Sequence, residues 1–278
     1  MKLLLIILGF LLTSCESGDD NNPPQTQNPE PVDEGVVRFS DDFESTFNLD
    51  PSNESTNVWY ESFRGQSTVE LSTNANIPAR SGNNCIVANM IANENNLSRA
   101  EIGVNLRQSL GDYWYGLSVF IPDNYDISQM VLDRDTFYSV LAQWGVWQNN
   151  PGLPDFALRM GHDNGVDKFF ITFEPSTDFV FLWDGPLIQG EWVDWVFHIK
   201  WAKNDTGLIE VWQNNNNILS QTNFQTTDGD GSEVKSKIGM YYSNWGDRLR
   251  GYDEIQVYFD KFTIAEGEDM FDEVNPSQ

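Results

Sequence analysis

The chain has 278 residues, 40% of them hydrophobic, which is enough for one large domain with a full core. Its 16 Lys and Arg stand against 42 Asp and Glu, giving a formal net charge of -26 and a pI near 4.1. So negative a surface excludes nucleic acid, whose binding relies on basic groups that neutralise phosphates. It suits a salty habitat and leaves an anionic polysaccharide open, because salt screens charge beyond about 8 Å at physiological strength.

Met1-Lys2 gives a positive start, and Leu3 to Leu12 is an apolar run too short to span a bilayer. Its end, Leu12-Thr13-Ser14-Cys15, resembles a bacterial lipoprotein signal in which the cysteine carries the lipid. The following Glu16-Ser17-Gly18-Asp19-Asp20 resembles the acidic tag that sends lipoproteins of some Gram-negative bacteria to the outer surface. The expected organisation is a signal over 1–15, a flexible acidic, Pro- and Asn-rich linker over 16–36, one domain over 37–268 and a tail over 269–278. With Cys15 lipidated, Cys85 has no partner and no disulfide is expected. The membrane enters only through that lipid, at the outer-membrane surface, and the domain is expected to be a monomer.

Short aromatic and β-branched runs follow in order: 113–121, 138–147, 156–160, 169–173, 192–201, 208–212 and 256–264. Asn, Asp, Gly and Pro clusters separate them, and 208–219 reads as a hairpin with a polar turn. No segment shows a sustained helical period with caps at both ends. An all-β sandwich or jelly roll is expected. Ten tryptophans and nine tyrosines suit sugar-ring recognition, although several would simply fill the space between two sheets.

Three strands carry chemistry on one face. In Leu97 to Val104, Ala100, Ile102 and Val104 point one way, and Arg99, Glu101 and Gly103 the other. The Arg and Glu are either a surface ion pair of little energetic consequence or a guanidinium held ready for a substrate carboxylate. In Val140 to Gly145, Gln143 sits in an apolar run and needs a hydrogen-bond partner, from a structural network or a ligand. In Ser236 to Tyr242, Ile238, Met240 and Tyr242 share a core face. Lys237, Gly239 and Tyr241 share the other, with room at the glycine for a ligand to approach.

The segments Ser98-Arg99-Ala100-Glu101-Ile102, Ala142-Gln143-Trp144 and Lys237-Ile238-Gly239-Met240-Tyr241 resemble, in this order, the signature strands of jelly-roll polysaccharide lyases. That group includes alginate lyases of this fold, glucuronan lyases and heparin lyase I. The closing Val257 to Ile264 is also similar to the last strand of the heparin lyase I and glucuronan lyase group. The resemblance implies a concanavalin-like two-sheet sandwich with a concave cleft and β-elimination on a uronate polymer. It implies Tyr241 as base and acid, Gln143 on the substrate carboxylate, and Arg99 and Lys237 as added positive charge. A free tyrosine has a pKa of about 10, so cations beside it favour the phenolate.

One departure stands out. Where many of these lyases carry a histidine two residues after the glutamine, this chain has Gly145. Its histidines are His162, read as a loop residue, and His198, which alternates with Asp194, Val196 and Lys200 opposite the apolar face of Trp195, Phe197, Ile199 and Trp201. His198 is the candidate to reach the cleft from another strand, against the more ordinary structural role of a lone strand histidine. Further candidates for substrate contact are Glu101, Arg159, Lys200, Trp147, Tyr242, Trp245 and Arg248. No cofactor is required. Asp42 and Asp260 could offer oxygens to a structural Ca²⁺, although acidic loop residues in so acidic a chain are usually only solvated.

The missing histidine carries a stereochemical hint. In glucuronate and mannuronate, H5 and the C4 oxygen lie on one side of the ring, so one tyrosine can serve both. Glucuronan or ulvan is therefore the favoured acidic polysaccharide, with mannuronate-rich alginate next. The rivals are a non-catalytic surface carbohydrate-binding lipoprotein and a jelly-roll glycoside hydrolase, which needs a suitably spaced carboxylate pair.

Overall fold

The computed structural model describes residues 35–45, 47, 49, 59–91, 98–106, 108–130, 136–146, 154–174, 180–228, 233–242 and 252–278. Almost all regular structure in them is strand. The first eight strands are β1 (Val36–Asp41), β2 (Trp59–Arg64), β3 (Thr68–Leu71), β4 (Ile86–Ile91), β5 (Ser98–Val104), β6 (Gln108–Ser109), β7 (Asp112–Phe120) and β8 (Thr136–Gly145). The second eight are β9 (Phe156–Asp163), β10 (Val166–Phe173), β11 (Val180–Pro186), β12 (Trp192–Lys200), β13 (Gly207–Gln213), β14 (Asn216–Phe224), β15 (Glu233–Tyr242) and β16 (Glu254–Glu266). Among the described residues, helix is confined to a 3₁₀ turn at Ile127–Met130 and one short helix, α1 (Phe271–Val274).

The strands form two antiparallel sheets. The first runs β14-β13-β12-β7-β16-β4-β3, with β1 also on β16; the second runs β11-β10-β9-β8-β15-β5-β2, with β6 on β15. The first and last strands of the described residues thus pair, as do strands far apart in sequence, which is the expected jelly roll.

Alternation builds the core between the layers. On β12, Trp195, Phe197 and Ile199 are fully buried while Lys200 at the strand end is exposed. Trp144 of the second sheet meets Phe197 of the first with ring centroids 4.5 Å apart, and Phe169 meets Trp195 at 5.1 Å. Much of the tryptophan content is therefore inter-sheet filling. Cys85 is a buried free thiol, pushed up to about 11 by burial.

Residues 269–278, expected as a tail, belong to the folded unit Asp33–Gln278. Val274 of α1 is buried with Trp114, Val196, Ala265 and Met270 on the outer face of the first sheet. Asn275 bonds across to Asn215 at 2.7 Å. The short helix escaped the sequence reading because four residues show no helical period.

Candidate functional site

The three chemistry-bearing strands are neighbours: β15 lies between β5 and β8 in the second sheet. Lys237 stands opposite Gly103 on β5 and Gln143 on β8, and Tyr241 opposite Arg99 and Val140. Ile238 and Met240 point into the core, so Lys237 and Tyr241 share the outer face with Arg99, Glu101 and Gln143. Between them the register against β8 shifts by a bulge at Gly239-Met240, a device that re-aims side chains. Gly239 has φ +122°, and a Cβ there would lie 2.1 Å from the Ala100 carbonyl oxygen, so only glycine fits.

Electrostatics centre on Glu101, which is fully buried. Its Oε1 accepts a hydrogen bond from Gln143 Nε2, and its Oε2 lies 3.2 Å from Arg99 Nε. Burial raises its carboxyl above the ordinary range against the pull of Lys237, Arg99, Gln143 and Arg159. Burial likewise lowers the Lys237 ammonium, which Glu101 partly opposes and Arg99 reinforces. Lys237 Nζ donates to Ser62 Oγ at 3.2 Å, and Arg99 Nη1 donates to the same oxygen at 3.4 Å. The Arg99 guanidinium carbon stands 4.0 Å from the centroid of the Tyr241 ring.

Two members of this face were missed from sequence. Ser62 and Tyr60, both on β2, oppose Glu101 and Gly103. Tyr60 covers Gly103 so closely that a Cβ there would sit 2.3 Å from its hydroxyl oxygen. Burial, then Glu101, pushes the Tyr60 phenol up to about 12, with Arg99 opposing. The alternation Tyr60, Ser62, Arg64 was the available signal, hidden because charged residues interrupt the segment. A pocket of about 380 Å³ lined by Tyr60, Val104, Asn105, Leu106, Glu233, Val234 and Lys235 adjoins the cluster.

Arg159 lies on β9, opposite Val140 of β8. It is held by Thr172 Oγ1 at 3.0 Å and by Glu174. Its charge still reaches Glu101. Tyr242 is partly buried against the core, as its alternation indicates. Trp147, Trp245 and Arg248 lie outside the described residues, as do Cys15 and the signal.

His198 and Lys200 are not part of this cluster, because β12 belongs to the first sheet. His198 points to that sheet's outer face and stacks on Trp114 at 3.8 Å and 7°. Its Nε2 is 2.6 Å from Asp112 Oδ1 and its Nδ1 3.0 Å from Glu210 Oε2. Its alternation with Asp194, Val196 and Lys200 is as expected, but the strand that carries it lies in the sheet without Tyr241. His162 is a residue of β9 rather than of a loop, with Nδ1 2.6 Å from Asp167 Oδ1. At Gly145 a Cβ would meet the Asp155 backbone nitrogen at 2.7 Å, so the fold leaves a histidine no room there.

Asp260 is buried and accepts the backbone N–H groups of Arg80, Ser81 and Lys261 at 2.8, 3.1 and 2.7 Å. Its oxygens anchor a loop instead of standing open to an ion. Asp42 is exposed. Among the described residues no group of three or more His, Cys, Asp or Glu could hold a metal.

A family model described as "Polysaccharide lyase" matches residues 52–263. No curated protein matches the sequence. Among solved structures, the chain is similar to an endo-β-1,4-glucuronan lyase from the fungus Trichoderma reesei, with 18% identity, a TM-score of 0.66, and 87% of this chain and 100% of that one covered. It also resembles the catalytic domain of a glycoside hydrolase family 131 protein from Coprinopsis cinerea, with 12% identity, a TM-score of 0.53, and 77% and 85% covered. A cellulose-induced protein, Cip1, aligns with 18% identity, a TM-score of 0.50, and 81% and 96% covered. At these identities the structures establish a shared fold, which hosts more than one chemistry.

Proposed function

Because the chain belongs to the polysaccharide lyase family, we propose that the Tyr241 cluster cleaves a uronic-acid-containing polysaccharide by β-elimination. Arg99, Lys237 and Gln143 engage the uronate carboxylate. Their charge and N–H groups stabilise the negative charge that builds there as the C5 proton leaves. Tyr241 takes that proton and returns it to the C4 oxygen as the glycosidic bond breaks, leaving an unsaturated uronate and a new chain end. Glu101 orients the Gln143 amide and the Arg99 guanidinium.

The observation that carries this reading is the cross-strand register: Arg99 beside Tyr241, and Gln143 beside Lys237, on one face. A hydrolase would need a second carboxylate facing Glu101, whose hydrogen-bond and ion-pair partners are Gln143 and Arg99. Neither described histidine belongs to the cluster, which favours one tyrosine acting on both atoms from one side of the ring. Glucuronan or ulvan is the first substrate class and mannuronate-rich alginate the second. No cofactor takes part.

The test is ultraviolet absorbance of the unsaturated product across pure glucuronan, ulvan, polymannuronate and polyguluronate. Product from polyguluronate alone overturns the one-sided mechanism. Tyr241→Phe should remove the product and keep ligand binding; an undiminished rate overturns the role of Tyr241.

The lipoprotein-like N-terminus supports an enzyme tethered by residues 16–36 to a lipid on Cys15, at the outer surface of a Gram-negative cell. Labelled fatty acid should enter the wild type and not Cys15→Ala.

A further inference from the structure

The two oxygens of Glu101 are treated unequally. Oε1 accepts from Gln143, while Oε2 is buried without a hydrogen bond, as is the Arg99 Nε that faces it 3.2 Å away. Charge attraction holds that pair, but hydrogen-bond alignment does not. An arriving uronate would bring a second carboxylate to Arg99 and Lys237, and two carboxylates sharing one set of cations resist ionising together.

We propose that Glu101 is a positioning residue that gives up its charge when substrate arrives: a uronate docking against Arg99 and Lys237 draws one solvent proton onto Glu101 Oε2. This rests on the lyase reading above and adds a proton distinct from the one taken from C5. The balance is simple. A carboxylate and a solvent proton give a carboxylic acid, and no bond of the sugar changes. Once neutral, Glu101 leaves the charge of Arg99 and Lys237 to the uronate, where it stabilises the transition state. Oε1 still accepts from Gln143, so the amide stays aimed.

Burial already holds the Glu101 carboxyl high, and a second anion pushes it further in the same direction. The groups that face it are Arg99 on its own strand, Lys237 on β15, Gln143 on β8, Arg159 on β9 and Tyr60 on β2. The guanidinium groups stay charged, and Tyr60 stays protonated at about 12. Among the described groups that face Glu101, Lys237, lowered by burial, is the rival proton acceptor.

Calorimetry decides. A short glucuronan oligosaccharide is titrated into Tyr241→Phe protein in weakly alkaline buffers of low and high ionisation enthalpy. The heat should vary with buffer as about one proton taken up per oligosaccharide bound. Adding Glu101→Gln should remove that dependence. Buffer-independent heat in the parent variant overturns the proposal whether or not the second variant folds. Unchanged dependence with Glu101→Gln overturns it too and assigns the proton to Lys237. Both leave the lyase reading standing. Absence of binding, together with no unsaturated product from the wild type, overturns that reading and this inference together.

Discussion

Arg99 stands over the ring of Tyr241, its guanidinium carbon 4.0 Å from the ring centroid, because the two residues are directly opposed on β5 and β15. The contact contributes about 0.5–2 kcal/mol, and Glu101 Oε2 stands 3.2 Å from Nε of the same guanidinium. Arg99→Lys keeps the charge but loses the planar fork and the stack. Steady-state kinetics on the cleaved polymer should show kcat/KM lower by about 10- to 100-fold, with the unfolding temperature lower by no more than about 2–8 °C.

Gly239 is the hinge of the bulge that separates Lys237 from Tyr241. Gly239→Ala forces a Cβ to within 2.1 Å of the Ala100 carbonyl oxygen at a φ of +122°. Urea unfolding should show a loss of about 2–4 kcal/mol. Unaltered stability would mean the β5–β15 register can give way.

Burial pushes the Asp155 carboxyl up to about 7, while the Val146 N–H and the Thr227 hydroxyl pull it down. A carboxyl whose folded value is raised contributes stability that is complete below its unfolded value, about 3.9. That contribution is lost as pH rises from there through about 7. Asp260, raised to about 6, has the same sign. Asp155→Asn should therefore flatten the fall in unfolding free energy from acid to mildly alkaline buffer, by on the order of 2 kcal/mol. Parallel curves for the two proteins would contradict this.

His198 stacks on Trp114 between Asp112 and Glu210, on the sheet that does not carry Tyr241. His198→Gln should lower the calorimetric unfolding temperature by about 3–8 °C and leave kcat unchanged. A fall in kcat at constant stability would return this histidine to the chemistry.

Asp260 takes three backbone N–H groups, so its removal and the removal of metal should differ. Asp260→Ala should cost about 2–4 kcal/mol by leaving those donors buried and unpaired. Dialysis against EDTA should change neither melting temperature nor rate. A drop in melting temperature on EDTA, restored by Ca²⁺, would revive an ion at Asp42 and Asp260.

Long aromatic strands were the legible part of the fold. The expected runs at 113–121, 192–201 and 256–264 correspond to β7, β12 and β16. Three of the strands that escaped notice have a reason to look unlike strands: β3 has four residues, β11 is largely exposed, and β2 is interrupted by Glu61 and Arg64. A fourth, β4, is an apolar run buried along most of its length and escaped without one. The pairing of Lys237 with Tyr241, and of Arg99 with Glu101, was readable within single strands. Tyr60 and Ser62 were not, because their importance comes from the strand they lie beside.

Alternation is a property of the backbone at each residue, so the sequence by itself determined the all-β class and which neighbours along a strand share a face. The same alternation says nothing about which of two sheets a strand enters, since both offer an apolar inner surface. That choice depends on pairing between distant segments. Only the tertiary structure brought β5, β8 and β15 edge to edge, and only it carried His198 and Lys200 to the opposite layer.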